Sequence, residues 1–168
     1  SANNITTFID WNNSLVSWWR MDDGNGTIDY MGRNNGTLVG DAKKTDAGYF
    51  GKGLELDGSG DYVSVIDDKS ISLTSKLSLS AWFKTNGNLG LSYTSGIAGK
   101  IGPPTGSLEY SIGLSSSDPY FYIRQTDLTY KYNRDTTIQL ADGNWHHIAG
   151  IANGTDVLLY IDGVYRDA

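Results

Sequence analysis

The chain has no cysteine, which excludes disulfides, zinc–thiolate sites and cysteine nucleophiles together. That absence leaves the compartment open, because an extracellular domain with an adequate core manages without disulfides. Glutamate occurs only at Glu55 and Glu109. Helical proteins use Glu freely, so long helices are not expected. Basic residues are also few: 13 Lys and Arg stand against 19 Asp and Glu, for a net charge of −6. A nucleic-acid partner would want a basic face, so none is expected. No apolar run approaches the ~20 residues that cross a bilayer, so no membrane insertion is expected. Histidine occurs only at His146 and His147. Adjacent strand residues face opposite sides, so these two cannot share a metal or form a dyad. A Ser-His-Asp triad therefore has little support. His147, on the side of Trp145 and Ala149, reads as a packed, hydrogen-bonded core histidine.

What is present points to strands. Glycine supplies 21 of the 168 residues, well above the ~7% of ordinary domains. Asn, Ser and Thr are abundant and aromatics reach 12%. Such residues favour turns and pleated surfaces. The length suits a single domain over residues 1–168. Asn-Gly and Asp-Gly turn signals recur, among them Asn35-Gly36, Asp57-Gly58, Asp142-Gly143, Asn153-Gly154 and Asp162-Gly163.

Between these signals the apolar residues alternate. Leu77, Leu79, Ala81 and Phe83 oppose Ser78, Ser80, Trp82 and Lys84. Leu108, Tyr110, Ile112 and Leu114 form another face, and Phe121 and Ile123 oppose Tyr120, Tyr122 and Arg124. Trp145 to Ala152 is apolar on both faces, as a central covered strand would be. Further strands are expected near Leu15–Arg20, Leu54–Asp57, Tyr62–Val65, Gly96–Lys100, Thr137–Leu140 and Val157–Ile161. Many short strands without a helical stretch predict a sandwich or barrel. The long irregular segment from Asn86 to Ser107 is of the kind that is functional or mobile.

Two ligand chemistries follow from the residues. Calcium wants six to eight oxygens on loops, and Asp22, Asp23, Asn25 and Asp29 crowd one Gly-rich loop. Asp22, Asp23 and Asp29 are the candidate metal ligands; ordinary Asx turns are the alternative reading. Sugars stack their C–H faces on aromatic rings while polar side chains take the hydroxyls. Tyr120, Tyr122 and Arg124, with Glu109 and Ser111 on a neighbouring strand, would form such a patch, and Tyr130 and Tyr132 follow closely. The alternative is that tyrosines simply fill a half-buried sheet surface. Sequons at Asn4, Asn12, Asn25, Asn35 and Asn153 suit an exported protein, although turn chemistry explains the Asn-Gly-Thr ones alone.

Several segments, in order, resemble one family. They are Leu15-Val16-Ser17-Trp18-Trp19-Arg20-Met21-Asp22, the stretch Asp29 to Leu38, Gly48-Tyr49-Phe50-Gly51-Lys52-Gly53-Leu54-Glu55-Leu56-Asp57-Gly58, Leu77 to Lys84, Asn144-Trp145-His146-His147-Ile148-Ala149, and Tyr160-Ile161-Asp162-Gly163-Val164. Together they look like a laminin G-like or pentraxin-like domain of the concanavalin A-like lectin/glucanase superfamily. The resemblance implies an all-β antiparallel two-sheet jelly-roll sandwich. It implies a non-catalytic recognition or adhesion module of a secreted or cell-surface microbial protein, extracellular, binding glycan or protein ligands, sometimes with calcium. An accessory carbohydrate-binding domain of a glycoside hydrolase and a ligand-free spacer are the alternatives.

Some enzymes on this sandwich carry a Glu-x-Asp-x-x-Glu strand. Glu55-Leu56-Asp57 begins that pattern, but Gly60 stands where the last Glu would be, and a strand end with a turn residue is the preferred reading. Trp82, where the family routinely has Trp, reads as scaffold. Family domains also continue past the Tyr160 to Gly163 hairpin, so the last C-terminal strands are expected to be missing or supplied by a partner. Self-association through an open strand edge is the corresponding expectation.

Overall fold

The computed structural model describes residues 14–22, 27–87, 96–102 and 107–167. The chain forms two compact units, Ser1–Asp68 and Lys69–Ala168. Among the described residues the only helical element is a 3-10 turn, Lys69–Ile71.

The first unit holds two antiparallel pairs. Strand β1 (Gly36–Val39) pairs with β4 (Tyr62–Val65), and β2 (Lys43–Gly48) pairs with β3 (Gly51–Glu55). The strand expected over Leu15–Arg20 is reduced to a single bridge between Trp19 and Asp29. Side chains take the place of the ladder there. The Asp29 carboxylate accepts the Trp18 N–H at 2.8 Å, and the Trp19 indole donates to the Asn34 carbonyl at 2.7 Å. Asn34 in turn donates to the Ser17 hydroxyl at 2.7 Å.

The second unit is a two-layer antiparallel sandwich. One sheet has the order β12 (Val164–Arg166), β11 (Val157–Ile161), β10 (Trp145–Asn153), β5 (Lys76–Lys84). The other has β6 (Gly96–Gly102), β7 (Ser107–Ser115), β8 (Asp118–Arg124), β9 (Tyr130–Arg134). Strand β8 packs across the sandwich against β10 and β11.

Strict alternation builds the core. Along β5, Leu77 and Phe83 are buried while Ser78, Ser80, Trp82 and Lys84 face out. Ile112, Leu114, Phe121, Ile123, Ile148, Leu159 and Ile161 are buried between the sheets. Burying a side chain of this size contributes about 1.5–3 kcal/mol, so these positions dominate the stability of the unit.

Two hairpins rest on paired left-handed residues. Asp162 (φ 51°) and Gly163 (φ 78°) join β11 to β12, and Ser116 (φ 52°) and Ser117 (φ 80°) join β7 to β8. Positive φ at both central positions matches the right-handed twist of the flanking strands. The expected strand over Thr137–Leu140 does not form. The Asp135 carboxylate accepts the Thr137 N–H at 2.8 Å, and the Leu140 N–H donates to the Ser117 carbonyl at 3.1 Å, so that segment is held without a ladder. Strands β1, β2, β9 and β12 are additions to those expected.

Candidate ligand-binding face

Pairing of β7, β8 and β9 brings one set of alternating residues to the face pointing away from the core. Tyr122 stands opposite Ser111 on one side and Tyr132 on the other, and Arg124 stands opposite Tyr130. Phe121 and Ile123, between them in sequence, are turned into the core at 0% and 1% exposure. The Tyr122 and Tyr130 rings stack diagonally, with centroids 5.3 Å apart and planes 29° apart. Tyr130 and Tyr132 remain open to solvent at 54% and 62% exposure. Tyr122 and Arg124 are half-buried beside them. Burial, followed by the charge and hydrogen bond of Tyr130, pushes the Tyr122 phenol up to about 12, against the pull of Arg124.

Of the four residues expected to bind ligand, this surface includes Tyr122 and Arg124. Tyr120 is fully buried, its hydroxyl 3.2 Å from that of Ser111. It lies down over Gly113, where an added Cβ would come within 2.9 Å of the phenol oxygen. Glu109 is buried too, and its carboxylate lies over Gly102 of β6. Glycine opposite a long side chain lets that side chain fold flat instead of standing out. Alternation alone assigned the correct face to Tyr120 and Glu109 but not their accessibility. Tyr130 and Tyr132 fill out the aromatic surface in their place.

The acids expected to hold calcium are differently engaged. Asp29 is 1% exposed and its carboxylate accepts four backbone N–H groups, from Trp18, Met31, Arg33 and Asn34, at 2.8–3.2 Å. Burial works against its ionisation, but those four donors prevail and hold it below the usual carboxylate range. Such a carboxylate organises its own loop and has little capacity left for a cation. Asp22 forms an ion pair with Arg20 at 2.6 Å. Asp23 lies outside the described residues.

Elsewhere in the first unit, Asp41, Asp57 and Asp61 place one carboxylate oxygen each within 4.8 Å of one another. Asp61 bridges this loop by accepting the Asp41 N–H at 2.8 Å and the Asp57 N–H at 3.0 Å. The bond from Asp57 is the largest effect on the Asp61 carboxyl, and with that from Asp41 it outweighs burial and lowers it. The Asp57-Gly58 signal reads only as a turn, and nothing in the spacing announces that Asp41 joins it.

The hydrogen-bonded histidine on the core side is His146, not His147 as expected. His146 shares the face of buried Ile148, and its two ring nitrogens lie 2.8 Å from Asp162 and 3.1 Å from Asp142. Both neighbours are carboxylates and accept only, so the protonated ring, in which both nitrogens donate, is favoured and the His146 pKa is raised. His147 faces the other way, its ring 5.1 Å from that of Trp82, which is 38% exposed.

Comparison with known proteins fits this architecture. Residues 57–168 match a laminin G-type family model described as the concanavalin A-like lectin/glucanases superfamily. The chain belongs to this superfamily. The all-β two-sheet fold expected of a concanavalin A-like domain is the one observed. A solved structure with similar fold is that of the binding domain of Paraclostridial Mosquitocidal Protein 1. It superposes with a TM-score of 0.61 at 18% identity, over 83% of this chain and 36% of that one. The chain thus spans little more than a third of that relative, and at this identity the likeness is one of fold. No curated protein sequence matches the chain.

As a concanavalin A-like domain it holds its one partial glucanase pattern in a structural arrangement. Glu55 ends β3 and pairs with Lys43 at 3.4 Å, on the surface. Asp57 sits in the following turn, where it accepts the Ser59 N–H at 2.6 Å. Glycoside hydrolysis needs two carboxyls flanking the scissile bond, one of them tuned to protonate it. Glu55 and Asp57 are engaged in a surface ion pair and a turn instead.

Proposed function

We propose that this concanavalin A-like domain is a non-catalytic recognition module of a secreted or cell-surface protein, and that it binds glycan through the outward face of β8 and β9. The observation that carries this reading is the solvent-open tyrosine surface, in which Tyr122 and Tyr130 stack and Tyr132 extends the platform. Stacked aromatic rings on a sheet offer a preformed apolar surface to a sugar, and little conformational freedom is lost on binding. Arg124 beside them supplies planar donors for hydroxyl or acid groups. The name of the structural relative, a binding domain, agrees with a recognition role. No helix among the described residues is long and apolar enough to cross a membrane. If calcium takes part, the Asp41, Asp57 and Asp61 carboxylates, which lie together, are a further group that could meet it.

A glycan array tests the reading. The protein should retain a defined set of sugars without releasing reducing ends. The Tyr130→Ala/Tyr132→Ala variant, altered at two exposed positions, should keep its melting temperature and lose that retention. Undiminished retention by the variant would remove this face from the site, and steady release of reducing sugar would replace the module with an enzyme.

A further inference from the structure

The tyrosine face carries a positive charge that has no counter-ion among the described residues. The sequence has five arginines. Arg20 is paired with Asp22 at 2.6 Å, Arg134 with Asp118 at 2.6 Å, and Arg166 with Asp135 at 3.9 Å. Arg33 is exposed to water. Arg124 alone is half-buried and has no ion pair or hydrogen bond among the described residues.

Its surroundings explain why. Across β9 it meets Tyr130, and its own strand presents Tyr122 on the same face. On β7 the pairing of Tyr110 with Ile123 makes Glu109 the next residue on Arg124's side. Yet Glu109 is folded over Gly102 of β6, where a Cβ would meet its Oε1 at 2.0 Å, and its Oε2 has no partner. The nearest acid on the sheet is therefore turned toward β6, and the two charges do not pair. Arg134, on the same face, is committed to Asp118 and the Ser115 carbonyl.

A partly desolvated guanidinium without a counter-ion is a costly arrangement in a chain whose acids outnumber its bases by 19 to 13. The same arrangement is favourable to an arriving anion, because the desolvation of the cation is already met by folding. The fork of a guanidinium matches a carboxylate in two parallel hydrogen bonds. The stacked tyrosines beside it match the C–H face of a sugar ring.

Resting on the glycan reading above, we propose that the ligand of this face is an acidic sugar, whose ring lies on Tyr122, Tyr130 and Tyr132 while its carboxylate is held by Arg124. The chain's net charge is negative, so the preference for an acid arises from local contact with Arg124 and not from the overall field.

The test compares each acid with its own neutral form. Oligogalacturonate, oligoglucuronate and sialyllactose are titrated calorimetrically at low salt, each beside its methyl ester. The expected result is that at least one acid binds about tenfold tighter than its ester, as loss of a charge-assisted hydrogen bond implies. Arg124→Gln should remove that difference, and Arg124→Lys should restore part of it, keeping the charge without the fork. Tyr130→Ala should weaken acid and ester alike. Melting temperatures of the variants report that each is folded. If acid and ester bind wild type equally, the acidic-sugar proposal is overturned while the glycan reading stands. If neither these sugars nor any neutral glycan on an array binds, the glycan reading fails and the proposal with it.

Discussion

The Phe121 ring occupies the space that a side chain at Gly150 would need. A Cβ built on Gly150 would lie 2.3 Å from Phe121 Cγ. The central strand of one sheet is therefore bare at the point where a fully buried core ring of the other sheet arrives. Gly150→Ala should destabilise the second unit by about 1–3 kcal/mol through overpacking. Phe121→Ala should cost about 3–5 kcal/mol through the cavity it leaves. Urea unfolding measures both, and the pair Gly150→Ala with Phe121→Leu should lose less than the sum of the single changes. Strict additivity would show that the two positions do not meet.

Asp29 presents a second test. Its Oδ2 accepts two of the four N–H bonds, from Arg33 and Asn34. Asp29→Asn replaces one carboxylate oxygen with a donor and should cost about 2–4 kcal/mol. The loss should be the same in excess EDTA and in millimolar calcium. Rescue of wild-type melting by calcium, or its removal by EDTA, would make Asp29 a cation ligand.

How far the sequence reveals this fold depends on which interaction decides each segment. Where burial decides, alternation was enough: β5, β7, β8, β10 and β11 lie where Leu77, Ile112, Phe121, Ile148 and Leu159 require them. Asp162-Gly163 announced its hairpin through residues that tolerate positive φ. Ser116-Ser117 adopts the same geometry with no such signal. The segment Leu15–Arg20 reads as a strand but does not form one, because Trp18 gives its N–H to the Asp29 carboxylate eleven residues on, and side-chain bonds of that range leave no period. Strand β9 is not legible in the sequence, because Tyr130, Lys131, Tyr132, Asn133 and Arg134 carry almost no apolar alternation; its buried member is Asn133. The candidate site was half legible for the same reason. Period two gives the face of Tyr120 and Tyr122, while the glycines that let Tyr120 lie flat are on other strands.

His146 makes stability depend on pH near neutrality. Burial disfavours its charge, but the hydrogen bonds to Asp162 and then Asp142 outweigh burial and raise its pKa above 6.5. Its contribution is complete below 6.5 and is lost as pH rises through the raised folded value. The acids work in the opposite sense. The Asn144 side chain and backbone, then His146, bring Asp142 to about 2, and Asp162 is lowered against its own burial. Their contribution is present above 3.8 and fades as pH falls through the folded values. The cluster thus stabilises most between about pH 4 and 6.5. His146→Gln should flatten the decline in Tm above pH 6.5. Equal slopes in wild type and variant would contradict the paired imidazolium.

Tyr122 should ionise late. Absorbance at alkaline pH should show a late phenol step from Tyr122 near 12. Tyr130→Phe removes the hydroxyl that holds the neutral Tyr122 phenol and, once ionised, repels its phenolate, so the late step should move down. An unmoved step would place the two rings apart.

The most direct test of the account locates a bound sugar on the domain. With a glycan retained on the array, amide shifts of isotope-labelled protein should change along β8 and β9, centred on Tyr122, Arg124, Tyr130 and Tyr132. Changes confined to the opposite sheet around Trp82 and His147, or to the Asp41 and Asp57 loop, would contradict it.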